Sequence, residues 1–185
     1  MNIIMAHPDD EVIFGAAVLK DADRIVCVAS DENNTARAWC KDRKKALQEI
    51  GKMLGIETIC FDYNSEFYRQ IEPRSGGLIE LEKKLLPYLS DTVFTHNAWG
   101  EYGHIDHILV NQIVNAHCRY VMTTDACLFA EWFNVKKLHQ GSRKETIDMD
   151  LYNRCKAIYD KYGCWTWSKE PIKEVRIHVA DNSHI

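Results

Sequence analysis

Ile3-Ile4-Met5-Ala6-His7-Pro8-Asp9-Asp10-Glu11 runs from four apolar residues into a histidine, a proline and an acidic triplet. Asn2–Ala6 has the length and character of a buried strand. Pro8 suits a tight strand-to-helix turn, because its φ is fixed and it needs no N–H partner. Behind the turn Val12, Ala16 and Leu19, with Phe14, Ala17 and Val18, form a short, nearly all-apolar helix, which must therefore be buried. A buried strand followed at once by a buried helix opens an α/β unit, and in open α/β sheets ligands bind at the carboxyl ends of the strands.

The rest of the chain repeats this alternation. Further strands are expected at Arg24–Ala29, Thr58–Phe61, Thr92–Thr95, Tyr120–Thr123, Cys127–Phe133 and Val175–Val179. Helical stripes run through Trp39, Ala46, Leu47, Ile50, Met53 and Leu54 with Gly55 as C-cap, and through Leu78, Leu81, Leu85 and Leu89. Another runs through Ile147, Leu151, Cys155, Ile158 and Tyr162, ended by Gly163. The polar stretch Asn134–Glu145, with Gly141, reads as a surface loop. Together these predict one α/β domain over residues 1–185, with a Rossmann-like, mostly parallel sheet covered by helices on both faces.

Composition narrows the function. The chain has 185 residues, 46% of them apolar, and a formal charge of −4 with both signs interspersed, so no nucleic-acid surface is expected. No apolar run approaches the roughly 20 residues of a membrane span. A strand beginning at residue 2 leaves no room for a signal peptide. Cys27, Cys40, Cys60, Cys118, Cys127, Cys155 and Cys164 are odd in number and widely spaced. Buried free thiols in a reducing cytoplasm fit them better than a disulfide framework.

A second motif, Gly103-His104-Ile105-Asp106-His107, adds to the first. If Ile105 begins a helix, then Ile105, Ile108, Leu109, Gln112, Ile113 and Ala116 line a core face, while His104, His107 and Asn111 share the opposite side. The alternative is a solvated polar face, just as the first motif could be only a capping cluster in which Asp9 or Asp10 caps the helix. His7 argues otherwise, being poorly placed for plain packing. His7, Asp10 and His107 would leave a fourth metal position for water, the open arrangement of a catalytic zinc site. Imidazole and carboxylate ligands also take iron, cobalt or nickel. Arg43 falls on the apolar stripe of its helix, so it snorkels, pairs with a buried carboxylate, Asp9 being the candidate, or contacts substrate. His96, at a strand end, is a further histidine of interest; His117, His139, His178 and His184 have no ligand spacing.

Ala6-His7-Pro8-Asp9-Asp10-Glu11 with Gly103-His104-Ile105-Asp106-His107 resembles the PIG-L/LmbE family of metal-dependent N-acetylglucosamine deacetylases. Arg43 followed by Leu54-Gly55-Ile56, and Thr95-His96-Asn97, extend the likeness, which covers about residues 1–117. The resemblance implies Zn2+, or another divalent transition metal, on His7, Asp10 and His107. It implies Asp9 as general base, a protonated His104 facing the oxyanion or leaving amine, Asp106 orienting His104, and Tyr102 reaching the tetrahedral intermediate. Ile105 stands where the family usually has Pro, and Ala46 where it usually has Glu.

The reaction so implied is removal of an acetyl group from an N-acetylglucosamine-type sugar or its small glycoside. Asp31, Glu32, Asn33 and Asn34 could reach sugar hydroxyls from the second strand's carboxyl end. Trp165 and Trp167 suit packing or a subunit contact, which leaves a homo-oligomer open, and less readily a sugar platform. Competing readings are an amide hydrolase for a non-sugar N-acyl substrate, a relative that binds metal without chemistry, and a nucleotide-binding α/β domain. The last is disfavoured because the first turn is acidic and has no glycine-rich cradle.

Overall fold

The computed structural model describes residues 1–69, 71, 76–125 and 143–183. Among them seven strands form one sheet: β1 (Asn2–Met5), β2 (Arg24–Ala29), β3 (Glu57–Tyr63), β4 (Thr92–Thr95), β5 (Tyr120–Thr124), β6 (Arg143–Thr146) and β7 (Glu174–Asp181). The order is β3-β2-β1-β4-β5-β7-β6. The first five are parallel, and β7 runs antiparallel to both β5 and β6. The mostly parallel sheet is thus present, with an antiparallel edge. The expected strand Cys127–Phe133 lies outside the described residues, as does most of the expected loop Asn134–Glu145. Residues 143–145 are strand, not loop. The charged Arg143, Lys144 and Glu145 that made them look like loop belong to an edge strand, where charge blocks pairing with other chains.

Strand alternation sends side chains to two cores. Ile3, Met5, Ile25 and Cys27 pack under α1 (Asp10–Ile13), α2 (Arg43–Leu54) and a helix at Met149–Lys161. Ile4, Ala6, Val26 and Val93 pack under α3 (Gly77–Leu85) and a helix at Ile105–His117. Between α3 and the last two lies the single irregular turn α4 (Gly100–Gly103), so these are α5 (Ile105–His117) and α6 (Met149–Lys161). Gly55 and Gly163 take the left-handed conformation that ends α2 and α6, at φ 71° and 66°.

Four stripes differ in detail from their expected course; in α3, Leu78 is exposed and Leu89 lies past the helix end. The first helix stops at Ile13, ahead of the weak helix former Gly15, although Phe14, Ala16, Val18 and Leu19 are all buried as expected. Trp39 is 50% exposed, because Thr35–Cys40 is a separate 3-10 segment and α2 begins only at Arg43. In α5, Ile105, Gln112 and Ala116 face solvent, and the buried side carries Asp106, His107, Val110, Asn111, Ile113 and Val114. The helix is rolled so that its polar residues enter the molecule. That burial is tolerable because each finds a partner: Asn111 Nδ2 donates to the His96 carbonyl at 2.7 Å, and His107 meets a carboxylate.

The chain runs from β1 to β2 and β3 on one side, then returns to β4 on the other. Strand order reverses between β1 and β4, and that reversal opens a crevice beyond their carboxyl ends. Residues 6–11 leave β1 into this crevice, and residues 96–101 leave β4 into it.

Candidate active site

The exit from β1 is strained. Asp9 sits at φ 104°, a left-handed conformation that costs a non-glycine residue roughly 1–3 kcal/mol and clusters at functional sites. The strain is held from below by Glu11, whose Oε2 accepts the Asp9 N–H at 2.9 Å. Glu11 is itself fully buried and accepts the Tyr159 hydroxyl at 2.7 Å. Asp9 occupies the N-cap position of α1, but its side chain makes no capping bond. Its Oδ2 accepts from Arg43 Nη2 at 3.2 Å, from the Thr166 N–H at 3.2 Å, and from the Thr166 hydroxyl. The capping explanation of the acidic triplet is therefore set aside, and Arg43 is paired inside the molecule rather than snorkelling.

The histidines and Asp10 converge. Two overlapping donor sets, His7 with His104 and His107, and Asp10 with His96 and His107, each lie within 4.8 Å. A further triangle joins His7 Nδ1, Asp10 Oδ2 and His107 Nε2, with edges of 3.1, 3.3 and 3.4 Å. A tetrahedral ion with nitrogen and oxygen ligands at about 2.0–2.2 Å needs donor–donor edges of about 3.3–3.6 Å, so the 3.3 and 3.4 Å edges match and the 3.1 Å edge is slightly short.

The outer nitrogens agree with that fit. His7 donates Nε2–H to Asp106 Oδ2 at 3.0 Å, which leaves the Nδ1 lone pair for an ion. His107 donates Nδ1–H to Glu101 Oε2 at 2.8 Å, which leaves Nε2. Each imidazole is thus backed by a carboxylate, as metal-ligating histidines are. His96 is different. Its Nδ1 faces Glu101 Oε2 at 3.0 Å and its Nε2 accepts the Ala6 N–H at 3.0 Å, so both nitrogens are committed. It stacks on His107 at 3.8 Å as a wall of the site.

Glu101 was invisible in the sequence pattern. It is 1% exposed and sits at φ 56° in α4. Its carboxylate spans both imidazoles and the Asn97 N–H, and the Asn97 side chain accepts the Glu101 N–H at 2.9 Å. Burial alone would raise its carboxyl; His96 and His107 outweigh that and hold it near 2.

Electrostatics divide the two aspartates. Burial pushes Asp9 up to about 6, against the pull of Arg43. Asp10 is equally buried, yet the neighbouring His107, His7 and His96 hold its carboxyl well below the usual range. Burial, with the neighbouring His107 and His7, drives His104 down to about 3. At that value the resting imidazole is neutral. Its Nδ1 accepts the Asp106 N–H at 3.3 Å as the N-cap of α5, so its proton sits on Nε2. That backbone bond is the hydrogen bond Asp106 makes to His104. The Asp106 carboxylate turns instead to His7 and to the N–H groups of Glu66 and Tyr68. Tyr102 stands at the rim, 38% exposed, its ring 5.6 Å from that of His104. Burial and the charges of Asp10 and Asp9 raise its phenol, so it stays an O–H donor.

In the loop after β2, Asp31 and Glu32 pair with the protein's own cations. Asp31 is fully buried at φ 56°. Its oxygens take Asn34, Ser65 and Arg43, so it braces the arginine and offers nothing to a ligand. Glu32 is exposed and pairs with Lys44 at 3.1 Å. Trp165 packs on Tyr152 and Tyr159, and Trp167 meets Phe14 edge-on at 5.6 Å.

Residues 2–118 match the family described as PIG-L: GlcNAc-PI de-N-acetylase, and the chain belongs to it. Both motifs lie within that span. An uncharacterized protein of Acanthamoeba polyphaga mimivirus is 24% identical over 127 residues, 60% of this chain and 55% of the viral one, so the chain spans about half the length of that relative. The zinc-inhibited form of the teicoplanin deacetylase Orf2 is similar in fold, with a TM-score of 0.60 at 13% identity over 98% of this chain and 99% of that one. The pseudoaglycone deacetylase Dbv21 gives 0.58 at 14% identity over 88% and 81%.

Proposed function

We propose that the protein is a metal-dependent N-deacetylase that releases acetate from an N-acetylglucosamine-type sugar or its small glycoside. The observation that carries this is the triangle of His7 Nδ1, Asp10 Oδ2 and His107 Nε2 beside a buried Asp9. Family membership and the deacetylases of similar fold support the reaction; the family's description supports the sugar. A divalent ion on those three atoms supplies a Lewis acid that polarises an acyl carbonyl and brings the pKa of a bound water toward about 7.

The remaining steps belong to this chain's residues. Asp9 takes the proton of the attacking water, and a carboxyl raised to about 6 can both accept it and pass it on. The neutral His104 donates its Nε2–H to the developing oxyanion, and Tyr102 donates its hydroxyl. With His104 neutral, the proton that frees the amine comes from Asp9. Arg43 holds Asp9 and, through Asp31, the loop behind it.

No helix among the described residues is long and apolar enough to cross a membrane, which favours a small soluble substrate. The six described cysteines are unpaired, five of them buried, in keeping with a reducing cytoplasm. The chain is read as one domain over residues 1–185. The test is a panel of N-acetyl hexosamines, their glycosides and simple N-acetyl amino acids, scored by free amine. Sugar turnover supports the assignment. Turnover of the amino acids alone would discard the carbohydrate and leave amide hydrolysis, and turnover of none would count against both.

A further inference from the structure

The segment after α6 lies beyond the residues matched to the family, yet it reaches the site. It is anchored three times. Cys164 returns its N–H to the Tyr159 carbonyl at 3.1 Å, Trp165 packs against Tyr152 and Tyr159, and Trp167 packs against Phe14. Between the two tryptophans stands Thr166. Its N–H and its hydroxyl both donate to one atom, Asp9 Oδ2, across 157 positions of sequence. Arg43 donates to that same atom. Among the described residues nothing donates to Asp9 Oδ1.

We propose that Thr166 is a positioning residue for the base. By filling the acceptor sites of Oδ2 together with Arg43, it fixes the carboxylate plane and leaves Oδ1 as the oxygen that takes the water's proton. This rests on Asp9 being the general base. A carboxylate held on one oxygen by an arginine and one amide can still tilt about its Cβ–Cγ bond; a third donor, the hydroxyl, restrains it. Alignment is then built into the resting protein, and misplacement of a catalytic group by about 1 Å costs about 10²-fold in rate.

The test is a pair of near-isosteric variants. Thr166→Val keeps the shape and the backbone donor but removes the hydroxyl; Thr166→Ser keeps the hydroxyl. We expect Thr166→Val to lower kcat by about 10- to 100-fold with KM within about 2-fold, and Thr166→Ser to recover most of the loss. In protein labelled with 13C at aspartate, the Asp9 carboxyl resonance should move in Thr166→Val and return in Thr166→Ser. That readout needs no turnover. An unmoved resonance overturns the proposal, as does wild-type kcat in Thr166→Val, or Thr166→Ser falling as far as Thr166→Val. Asp9→Asn is measured in parallel. If Asp9→Asn is slow and Thr166→Val is not, the positioning role alone fails. If Asp9→Asn runs at the wild-type rate, the general-base reading itself fails.

Discussion

Glu101→Gln replaces one buried carboxylate oxygen by an amide nitrogen and changes almost nothing in volume. In the native site Oε2 accepts from His107 Nδ1 at 2.8 Å and faces His96 Nδ1 at 3.0 Å, while Oε1 accepts the Asn97 N–H at 2.9 Å. Glutamine has one accepting oxygen for three donors. If that oxygen faces the imidazoles, the amide NH2 points at the Asn97 N–H; if it faces Asn97, the NH2 points at two imidazole N–H groups. Either way at least one buried donor is left without an acceptor, a cost of about 1–3 kcal/mol. His107 also loses the negative charge behind it, which lowers the basicity of Nε2 and frees its ring to turn. Loss of such a backing carboxylate weakens metal binding by about 10- to 100-fold, about 1.4–2.8 kcal/mol. Affinity for zinc and cobalt is read by competition with a calibrated chelator, and folding stability by urea titration. Unchanged metal affinity in a folded Glu101→Gln protein would refute the reasoning.

Asp9→Asn is expected to keep its metal and lose about 10²–10⁴-fold in turnover, checked by metal analysis and acetate release on one preparation. Arg43→Met leaves Asp9 and Asp31 buried with no cation between them; the protein should lose about 3–5 kcal/mol in urea titration, a stability change well above that of a surface lysine such as Lys161. Tyr159→Phe removes the donor to the buried Glu11 and should lower stability by about 1–3 kcal/mol, with metal content unaltered.

The parts of the structure that sequence made legible are those written in short-range pattern. The run Ile3–Ala6 and the turn at Pro8 gave the first strand and its exit, and the stripes through Ala46, Leu47 and Ile50 and through Leu151 and Cys155 gave buried helix faces. Gly55 and Gly163 marked the ends of α2 and α6 because no other residue takes φ near 70° without cost. The ligand-type residues stood out because imidazoles and carboxylates at a strand exit have few structural uses. What stayed hidden depends on distance in sequence. Glu11 is held by Tyr159, 148 positions away, and Asp9 by Thr166, 157 away; nothing local in either segment announces the other. Nothing local marks Glu101; its role depends on α5 bringing His107 to its carboxylate. The roll of α5 itself was misread because apolar periodicity in Ile105, Ile108 and Leu109 outweighed a polar face whose partners come from β4 and its turn.

The central claim is that His7, Asp10 and His107 hold one divalent ion. Elemental analysis of the purified protein, repeated on His7→Ala, Asp10→Ala and His107→Ala, tests it most directly. The expected result is one transition-metal ion per chain in the native protein and loss of most of it in each variant, with circular dichroism showing the fold retained. Stoichiometric metal persisting in both His7→Ala and His107→Ala would contradict the claim.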